Sequence, residues 1–371
     1  MNMAPHRSIE AGRSRWWLAE SGFSLVELMA GLVIALVIVA AGFTTMTSTN
    51  KAAQANDQAA NTQQNVRLAM ELISGDIKMA GFGMSSPVGA CNTAIVPADN
   101  TPAGADTGPD SVSIVVPNTS NVAPLWTLAV QATGPFNTIT LQAGAVAAMQ
   151  AAGLVVNGTV SIGGALSGTV TTIAGNVLTI ANMAAGASVF PVGTPVYLLQ
   201  CITYQIILAP DALNICAGNA PCLVRGVAPA LNCNIAANPC APIADGIEDI
   251  QLAYACDGCN VAVNGGIADR VVDDQNGSNT FDVGDFISNN TWAAAPMTPD
   301  TIRLVQVSVV ARQIGNVTGL GETRSLPVNT IAPVVVGDHN PANDAGFNLA
   351  NYQQFRRRAL IRTVDARNLG L

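Results

Sequence analysis

The sequence predicts an α+β fold in which a long N-terminal helix packs on an antiparallel β-sheet head that carries an inserted β-rich subdomain. Three patterns predict it. An uncharged run occupies residues 28–50, and a helical spacing of apolar residues continues to about residue 80. Short β-branched runs separated by Gly, Pro, Asn and Asp fill most of the remainder. A charged share of 11% and 34 glycines suit an exported, β-rich protein.

The uncharged run, apolar to about Phe43, is long enough to cross a bilayer, since about 20 apolar residues in a helix span the hydrocarbon core. Glu27 is the only charged residue between Phe23 and Asn50. A carboxylate at the mouth of such a segment is costly unless it is paired, so Glu27 is a candidate functional residue. The alternative is an ordinary signal anchor in which the Glu27 side chain extends to the lipid headgroups.

The helix is expected to continue beyond the membrane as an amphipathic segment. Residues 51–80 contain no proline, and apolar residues recur there every three or four positions. The predicted buried face consists of Val66, Ala69, Ile73, Ile77 and Ala80. One helix is therefore expected over residues 23–80, with 23–43 in the membrane and a head over residues 81–371. Glycines at 81 and 83 and a proline at 87 are expected to end it.

Strands are expected wherever β-branched residues cluster between turn residues. The predicted strands are Ser111–Val116, Thr138–Leu141, Gly168–Ile173, Val177–Ile180, Val196–Leu208, Asp249–Ala255 and Ile302–Arg312. Apolar residues alternate in the last two, which indicates strands with one buried face. The Gly-, Ala- and Thr-rich region from about 125 to 195 is interpreted as the inserted subdomain. Its Asn157-Gly158 and Gly163-Gly164 pairs are typical of hairpin turns, and the alternative is a low-complexity loop.

Eight cysteines point to disulfides, provided that everything after the membrane segment lies outside the cytoplasm. Arginines at positions 7, 13 and 15 place the N-terminal end on the cytoplasmic side. Proximity in the chain suggests the pairs Cys216–Cys222, Cys233–Cys240 and Cys256–Cys259, and leaves Cys91–Cys201. The alternatives are a zinc site built from the last four of these cysteines in sequence order, and a redox-active Cys-x-x-Cys at 256–259. Neither has the spacing or the surrounding pattern that such a site needs.

An acidic loop at 273–285 is rich in oxygen ligands of the kind that calcium prefers. Its candidate ligands are Asp273, Asp274, Asn276, Asp282 and Asp285. The spacing does not match an EF-hand, because the glycine comes one position early and no glutamate closes the loop. A solvated turn is the preferred interpretation, and calcium is the alternative.

Catalysis finds little support in the sequence, and no cofactor is expected. The histidines are His6 and His339, and neither has the neighbours of a hydrolytic or metal-dependent enzyme. His339 lies in a Gly-Asp-His-Asn-Pro turn and is expected at the surface. A net charge of −8 argues against nucleic acid as a partner. The arginine run at 356–358 is interpreted as a solvated strand edge.

The string Gly-Phe-Ser-Leu-Val-Glu-Leu-Met at 22–29 lies behind a short polar leader and ahead of a hydrophobic helix. It closely resembles the class III signal of type IV prepilins. The resemblance implies that a prepilin peptidase cleaves between Gly22 and Phe23 and that the new Phe23 amine is N-methylated. It also implies that Glu27 neutralises this amine on a neighbouring subunit during assembly. The pairing is physically sensible, because a buried amine and a buried carboxylate are each costly alone.

Further strings resemble the PilW-type minor pilins: residues 71–82 at the helix end, 245–254, Ile302–Arg312 and 356–368. The resemblance implies a non-enzymatic subunit that helps initiate pilus assembly and lies at or near the tip. Its partners would be other minor and major pilins, the prepilin peptidase, the inner-membrane assembly machinery and the inner membrane. The precursor would cross the inner membrane once with a periplasmic head, and the mature subunit would move into the fibre at the cell surface.

Three other functions stay open at this point. A J-type minor pseudopilin of type II secretion would share the signal and the fold class. A tip adhesin would use the head as a binding module. A membrane-anchored periplasmic enzyme would need a catalytic cluster, which the sequence does not present.

Overall fold

The computed structural model describes residues 24–101, 106–118, 126–181, 188–209, 211, 214–217, 220–227, 240–314 and 332–369. The chain divides into two compact units, Met1–Gln54 and Ala55–Leu371. Helix α1, Leu25–Met79, runs from the first unit into the second. The structure is therefore mixed α and β, with one long N-terminal helix and antiparallel sheets, as the sequence predicts.

In the described parts of the chain, fourteen strands follow the long helix. They are β1 Ile95–Ala98, β2 Ser111–Pro117, β3 Ala132–Thr133, β4 Thr138–Thr140, β5 Thr159–Ile162, β6 Leu166–Ala174, β7 Val177–Ala181, β8 Val189–Phe190, β9 Val196–Ile207, β10 Cys222–Val227, β11 Ala241–Asp245, β12 Ile247–Cys256, β13 Ile302–Arg312 and β14 Arg357–Asp365. Three short helices lie between them: α2 Ala145–Ala151, α3 Val261–Asn264 and α4 Leu349–Tyr352.

The largest sheet has nine strands and is organised around β9. Its strands follow the order β1-β2-β9-β5-β6-β7-β4, and β10 also pairs with β9 and carries β11. Strand β9 is long enough to pair with three other strands. It pairs with β2 on one side and with β5 and β10 on the other. Strands β12, β13 and β14 form a second sheet in that order, and β3 pairs with β8.

The second half of α1 packs on these sheets through one apolar face. All five residues of the predicted face are buried, and Met70 and Thr62 join them. Their partners in the core include Ile114 of β2, Ile202 of β9 and Val307 of β13. The helix ends at Gly81, which has a φ of +75° and whose N–H donates to the carbonyl oxygen of Val115 at 3.0 Å. The prediction of an amphipathic segment and of its end is confirmed.

Each of the seven predicted strands coincides with an observed one to within a few residues, and Ile302–Arg312 matches exactly in its bounds. The Gly163-Gly164 pair forms the hairpin turn between β5 and β6, with φ of +62° and +69°. The Asn157-Gly158 pair is different. It lies in the connection from α2 to β5, so the prediction of a hairpin there is wrong.

Strand β12 is buried on both faces, which corrects the expectation of a single buried face. Ile250, Leu252 and Tyr254 face the core with α1, while Asp249 and Gln251 are 3% and 1% exposed on the other face. Loops cover that second face: the amide nitrogen of Gln251 donates to the carbonyl oxygen of residue 108 at 3.1 Å. Polar residues in an alternating pattern normally face water, so the sequence alone did not reveal this cover.

Residues between Trp126 and Leu198 form a hydrophobic cluster of their own. Met149 of α2, Val160 of β5, Val170 of β6 and Leu178 of β7 are fully buried in it. The strands of this region nevertheless continue the nine-stranded sheet directly from β9. The region is therefore folded and β-rich.

Candidate functional site

The first part of α1 is an apolar surface on every side. The large apolar side chains from Leu25 to Met46 are between 53% and 75% exposed. No charged residue occurs between Glu27 and Lys51. By length and composition this helix can cross a membrane. Because a water-soluble surface does not expose a patch of this size, the segment needs a lipid or protein environment.

The hydroxyl groups of four threonines in this segment are satisfied within the helix. Thr44 and Thr45 both donate to the carbonyl oxygen of Ala41, at 2.8 and 2.9 Å. Thr47 donates to Thr44 at 3.0 Å and Thr49 to Thr45 at 2.9 Å, again through carbonyl oxygens. A hydroxyl group that is already hydrogen-bonded is far less costly to remove from water. These four threonines therefore add little to the cost of placing residues beyond Phe43, the predicted limit of the membrane segment, in an apolar environment.

Glu27 lies in the first turn of α1 and forms a capping box with Ser24. The backbone N–H of Glu27 donates to the Ser24 hydroxyl oxygen at 3.2 Å, and the Ser24 backbone N–H donates to the Glu27 carboxylate at 3.2 Å. The Ser24 hydroxyl group also lies 3.3 Å from that carboxylate. The negative charge is well placed, because the N-terminus of a helix is its positive end. The Ser-x-x-Glu spacing at 24–27 is the sequence signal that predicts this motif.

Two predicted site residues, Gly22 and Phe23, lie outside the described residues, and so does Cys233. The predicted cleavage and N-methylation therefore stay predictions. Cys240 is disulfide-bonded.

The structure brings three of the suggested cysteine pairs together as disulfides. Cys91 is bonded to Cys201, Cys216 to Cys222, and Cys256 to Cys259. The first bond closes the largest loop, with a sequence separation of 110 residues. It ties the segment before β1 to the central strand β9. The sulfur atoms of the last pair lie beside Asp273, and the amide nitrogen of Gln275 is 3.2 Å from the Cys259 sulfur.

The acidic loop uses its carboxylates to hold its own backbone. Asp274 accepts hydrogen bonds from the N–H groups of residues 277, 278 and 279, at 2.6 to 3.2 Å. Burial acts to raise the pKa of Asp274, but these donors outweigh it and lower the pKa. Asp285 is fully buried and accepts from the N–H groups of Gln275 and Asp282. Asp282 in turn accepts from Gly284 and from the side chain of Asn276, both at 2.7 Å. These bonds make the loop a structured turn, and the burial of Asp285 shows that it is not fully solvated as expected.

His339 is buried, so the expectation that it lies at the surface is wrong. It is 3% exposed, and its ring nitrogens lie 2.8 Å from Asp249 and 2.9 Å from Asp344. Burial lowers the pKa of His339, but the two carboxylates outweigh it and raise the pKa from its ordinary 6.5 to about 9. The imidazole is therefore protonated at neutral pH and ties the 339–344 turn to β12.

Arg357 likewise corrects the view of residues 356–358 as a solvated edge. Its side chain is 6% exposed and donates to both oxygens of the Glu248 carboxylate. The guanidinium also stacks on the ring of Tyr352, 3.3 Å from the centroid. Arg358 is exposed on the same strand. Arg357 thus has a structural role. The expectation of a strand edge does hold, because β14 is the edge strand in the order β12-β13-β14.

No family model, no curated protein and no solved structure matches this chain. Its function has to be argued from its own residues.

Proposed function

We propose that the chain is a minor pilin, a non-enzymatic subunit that helps to initiate type IV pilus assembly and lies at or near the pilus tip. The observation that carries the proposal is the first part of α1. It is exposed and apolar on every side, four of its threonine hydroxyl groups are satisfied internally, and it has a single carboxylate in the first turn. Such a helix suits both a bilayer and a bundle of similar helices.

Glu27 would determine how neighbouring subunits align in this proposal. A carboxylate buried among apolar helices needs a cationic partner, and the N-methylated amine of Phe23 on an adjacent subunit would supply it. The capping box keeps the carboxylate at the helix N-terminus, beside Ser24. Cleavage after Gly22 by a prepilin peptidase would create that amine.

The head would face the periplasm in the precursor and the exterior in the fibre. Its disulfides fit an oxidising compartment. We include residues from about 125 to 195 in the proposal as a β-rich insertion, supported by their separate hydrophobic cluster. The partners would be other minor and major pilins and the inner-membrane assembly machinery.

The decisive experiment replaces Glu27 with Gln in the host strain and scores surface pili and processing of the subunit. Gln also serves at this position of a capping box, so the helix terminus is preserved while the charge is lost. We expect normal cleavage but at least about a tenfold loss of incorporation, as for a charge-pair energy of about 1.4 kcal/mol or more. Glu71→Gln, an exposed glutamate on the same helix, is the matched control and should assemble normally.

Normal incorporation of the Glu27→Gln subunit would contradict the charge-pair role and leave Glu27 as a helix cap. The phenotype of a deletion in the host also distinguishes a subunit of the type IV pilus from a subunit of type II secretion. Loss of pili on deletion supports the minor pilin, whereas loss of protein secretion with intact pili would support a J-type minor pseudopilin.

A further inference from the structure

Three carboxylates converge in the head although they come from distant parts of the chain. The ligating oxygens of Asp99, Asp106 and Asp338 all lie within 4.8 Å of one another. Asp106 is fully buried, and the other two are half-buried. A parallel backbone bridge between Asp106 and His339 joins the two chain segments. The cluster lies apart from the acidic loop at 273–285 in sequence and shares no residue with it.

Among the described residues, a backbone N–H group donates to one oxygen of Asp99 and to one oxygen of Asp106. The Thr101 N–H donates to Oδ1 of Asp99 at 2.9 Å and to Oδ1 of Asp106 at 2.8 Å. Within the described part of the chain, Oδ2 of each is buried without a donor, and so are both oxygens of Asp338. The Ser288 hydroxyl group is near enough to act on the pKa of Asp338, but it makes no hydrogen bond of normal geometry. Buried carboxylate oxygens without partners are costly unless a cation binds them.

Gln251 supplies an independent observation from the covered face of β12. Its amide nitrogen donates to the carbonyl oxygen of Gly108 at 3.1 Å and to Asp249 at 3.0 Å, which determines the orientation of the amide. Its Oε1 is then left buried without a donor among the described residues. This oxygen lies 3.6 Å from the position that a Cβ would take on Gly337, the residue before Asp338. A neutral oxygen ligand therefore lies beside the chain segment that carries Asp338.

The charges nearest to Asp106 do not neutralise it. Its electrostatic neighbours Asp99 and Asp338 are both carboxylates. The cationic ring of His339 is hydrogen-bonded to two other carboxylates, as described above. The cluster therefore presents an excess of negative charge around unpartnered oxygens.

We propose that Asp99, Asp106 and Asp338, together with Oε1 of Gln251, bind one Ca²⁺ ion. Calcium binds six to eight oxygens at about 2.3–2.6 Å, so ligands on opposite sides of the ion are up to about 5 Å apart. Oxygens that all lie within 4.8 Å of one another are close enough to bind one such ion together. Mg²⁺ keeps several waters and is usually bound through one or two carboxylates, so a set of four protein oxygens suits calcium better. Water completes the coordination.

Calorimetric titration of the full-length chain in detergent, first freed of metal with a chelator, tests the proposal. We expect one Ca²⁺ per chain, a Kd within the range of about 10⁻⁴ to 10⁻³ M typical of extracellular modules, and weaker binding of Mg²⁺. Calcium should also raise the Tm, since a ligand of the native state stabilises it. Asp106→Asn and Asp338→Asn should each weaken calcium binding at least about tenfold, because affinity depends on ligand charge.

Both variants should fold without calcium, since replacing a buried carboxylate by an amide relieves repulsion. Their chelator-treated Tm should equal or exceed that of the wild type. Asp274→Asn, in the acidic loop, is the control and should bind calcium normally. The proposal is overturned if the wild type gives no calcium-dependent heat or Tm shift. That result would mean that a proton shared between the carboxylates, and not a cation, satisfies the cluster. The proposal is also overturned if both cluster variants keep the response, or if Asp274→Asn alone loses it.

Discussion

At the N-terminus of α1, Ser24 and Glu27 hydrogen-bond to each other, and this bears on how Glu27 acts. The resemblance to prepilins assigns Glu27 a partner on another subunit, while the structure gives it one within its own chain. The two roles are compatible, because the carboxylate has two oxygens and the contacts with Ser24 use Oε2. The capping bond would then hold the carboxylate in place before a neighbour arrives.

Arg357 allows a quantitative test of a single residue in the head. Its planar guanidinium contacts both oxygens of Glu248 and stacks on Tyr352, and lysine can reproduce neither contact. We expect Arg357→Lys to reduce the free energy of unfolding by about 2 kcal/mol, as measured by urea denaturation of the detergent-solubilised chain. Arg358→Lys, on the exposed position next to it, is the control and should change stability by less than about 0.5 kcal/mol. Equal effects of the two variants would contradict the structural role of Arg357.

His339 shows why single polar residues are hard to place from sequence. A histidine in a Gly-Asp-His-Asn-Pro turn has the composition of a surface loop. Its burial depends on Asp249 in β12, 90 residues earlier in the chain, and a single sequence carries no sign of that contact. The same holds for Arg357 and Glu248, which are 109 residues apart.

Among the helices and strands, those in which apolar residues recur at a regular spacing were predictable from the sequence. The face of α1 follows from its three- and four-residue spacing, and β13 follows from its alternating valines. Short strands such as β3 and β8, each of two residues, have no such period and were missed. The second buried face of β12 was missed for another reason. Its cover comes from loops, whose position is determined by tertiary contacts.

The disulfides differ in the size of the loop that each closes. This difference predicts how much each one contributes to the free energy of unfolding. The bond Cys91–Cys201 spans 110 residues and Cys216–Cys222 spans six. By the loop-entropy relation, the first contributes about 5 kcal/mol and the second about 2 kcal/mol. Replacing Cys91 and Cys201 together by Ser should therefore lower the free energy of unfolding by roughly 3 kcal/mol more than replacing Cys216 and Cys222. Chemical denaturation of both double variants under oxidising conditions measures this, and the reverse ranking would contradict it.

A polar contact joins α1 to the nine-stranded sheet beside the apolar core. The Tyr204 hydroxyl of β9 donates to the carboxylate of Asp76 in α1, and Arg225 of β10 lies 3.2 Å from the same oxygen. Because Asp76 is surrounded by a hydroxyl and a cation, its charge is compensated where the helix meets the sheet. The contact therefore adds a directional link between the helix and the sheet to the apolar packing.

For the whole molecule, the two proposed roles lie in different parts of the chain: assembly in the first part of α1 and calcium binding in the head. The first part of α1 has an apolar surface on every side, which is unfavourable in water. The head contains the disulfides and the carboxylate cluster. The two proposals therefore concern different units and can fail separately. Loss of calcium binding would leave the minor-pilin proposal intact, and a failure of Glu27 to act in assembly would leave the calcium site intact.

The central claim is tested most directly by N-terminal sequencing and intact-mass measurement of the chain isolated from native membranes. The account predicts a protein that begins at an N-methylated Phe23, with α1 retained. A chain that still begins at Met1 in a strain with an active prepilin peptidase would contradict it. That result would make the protein a signal-anchored one and would remove the assembly role proposed for Glu27.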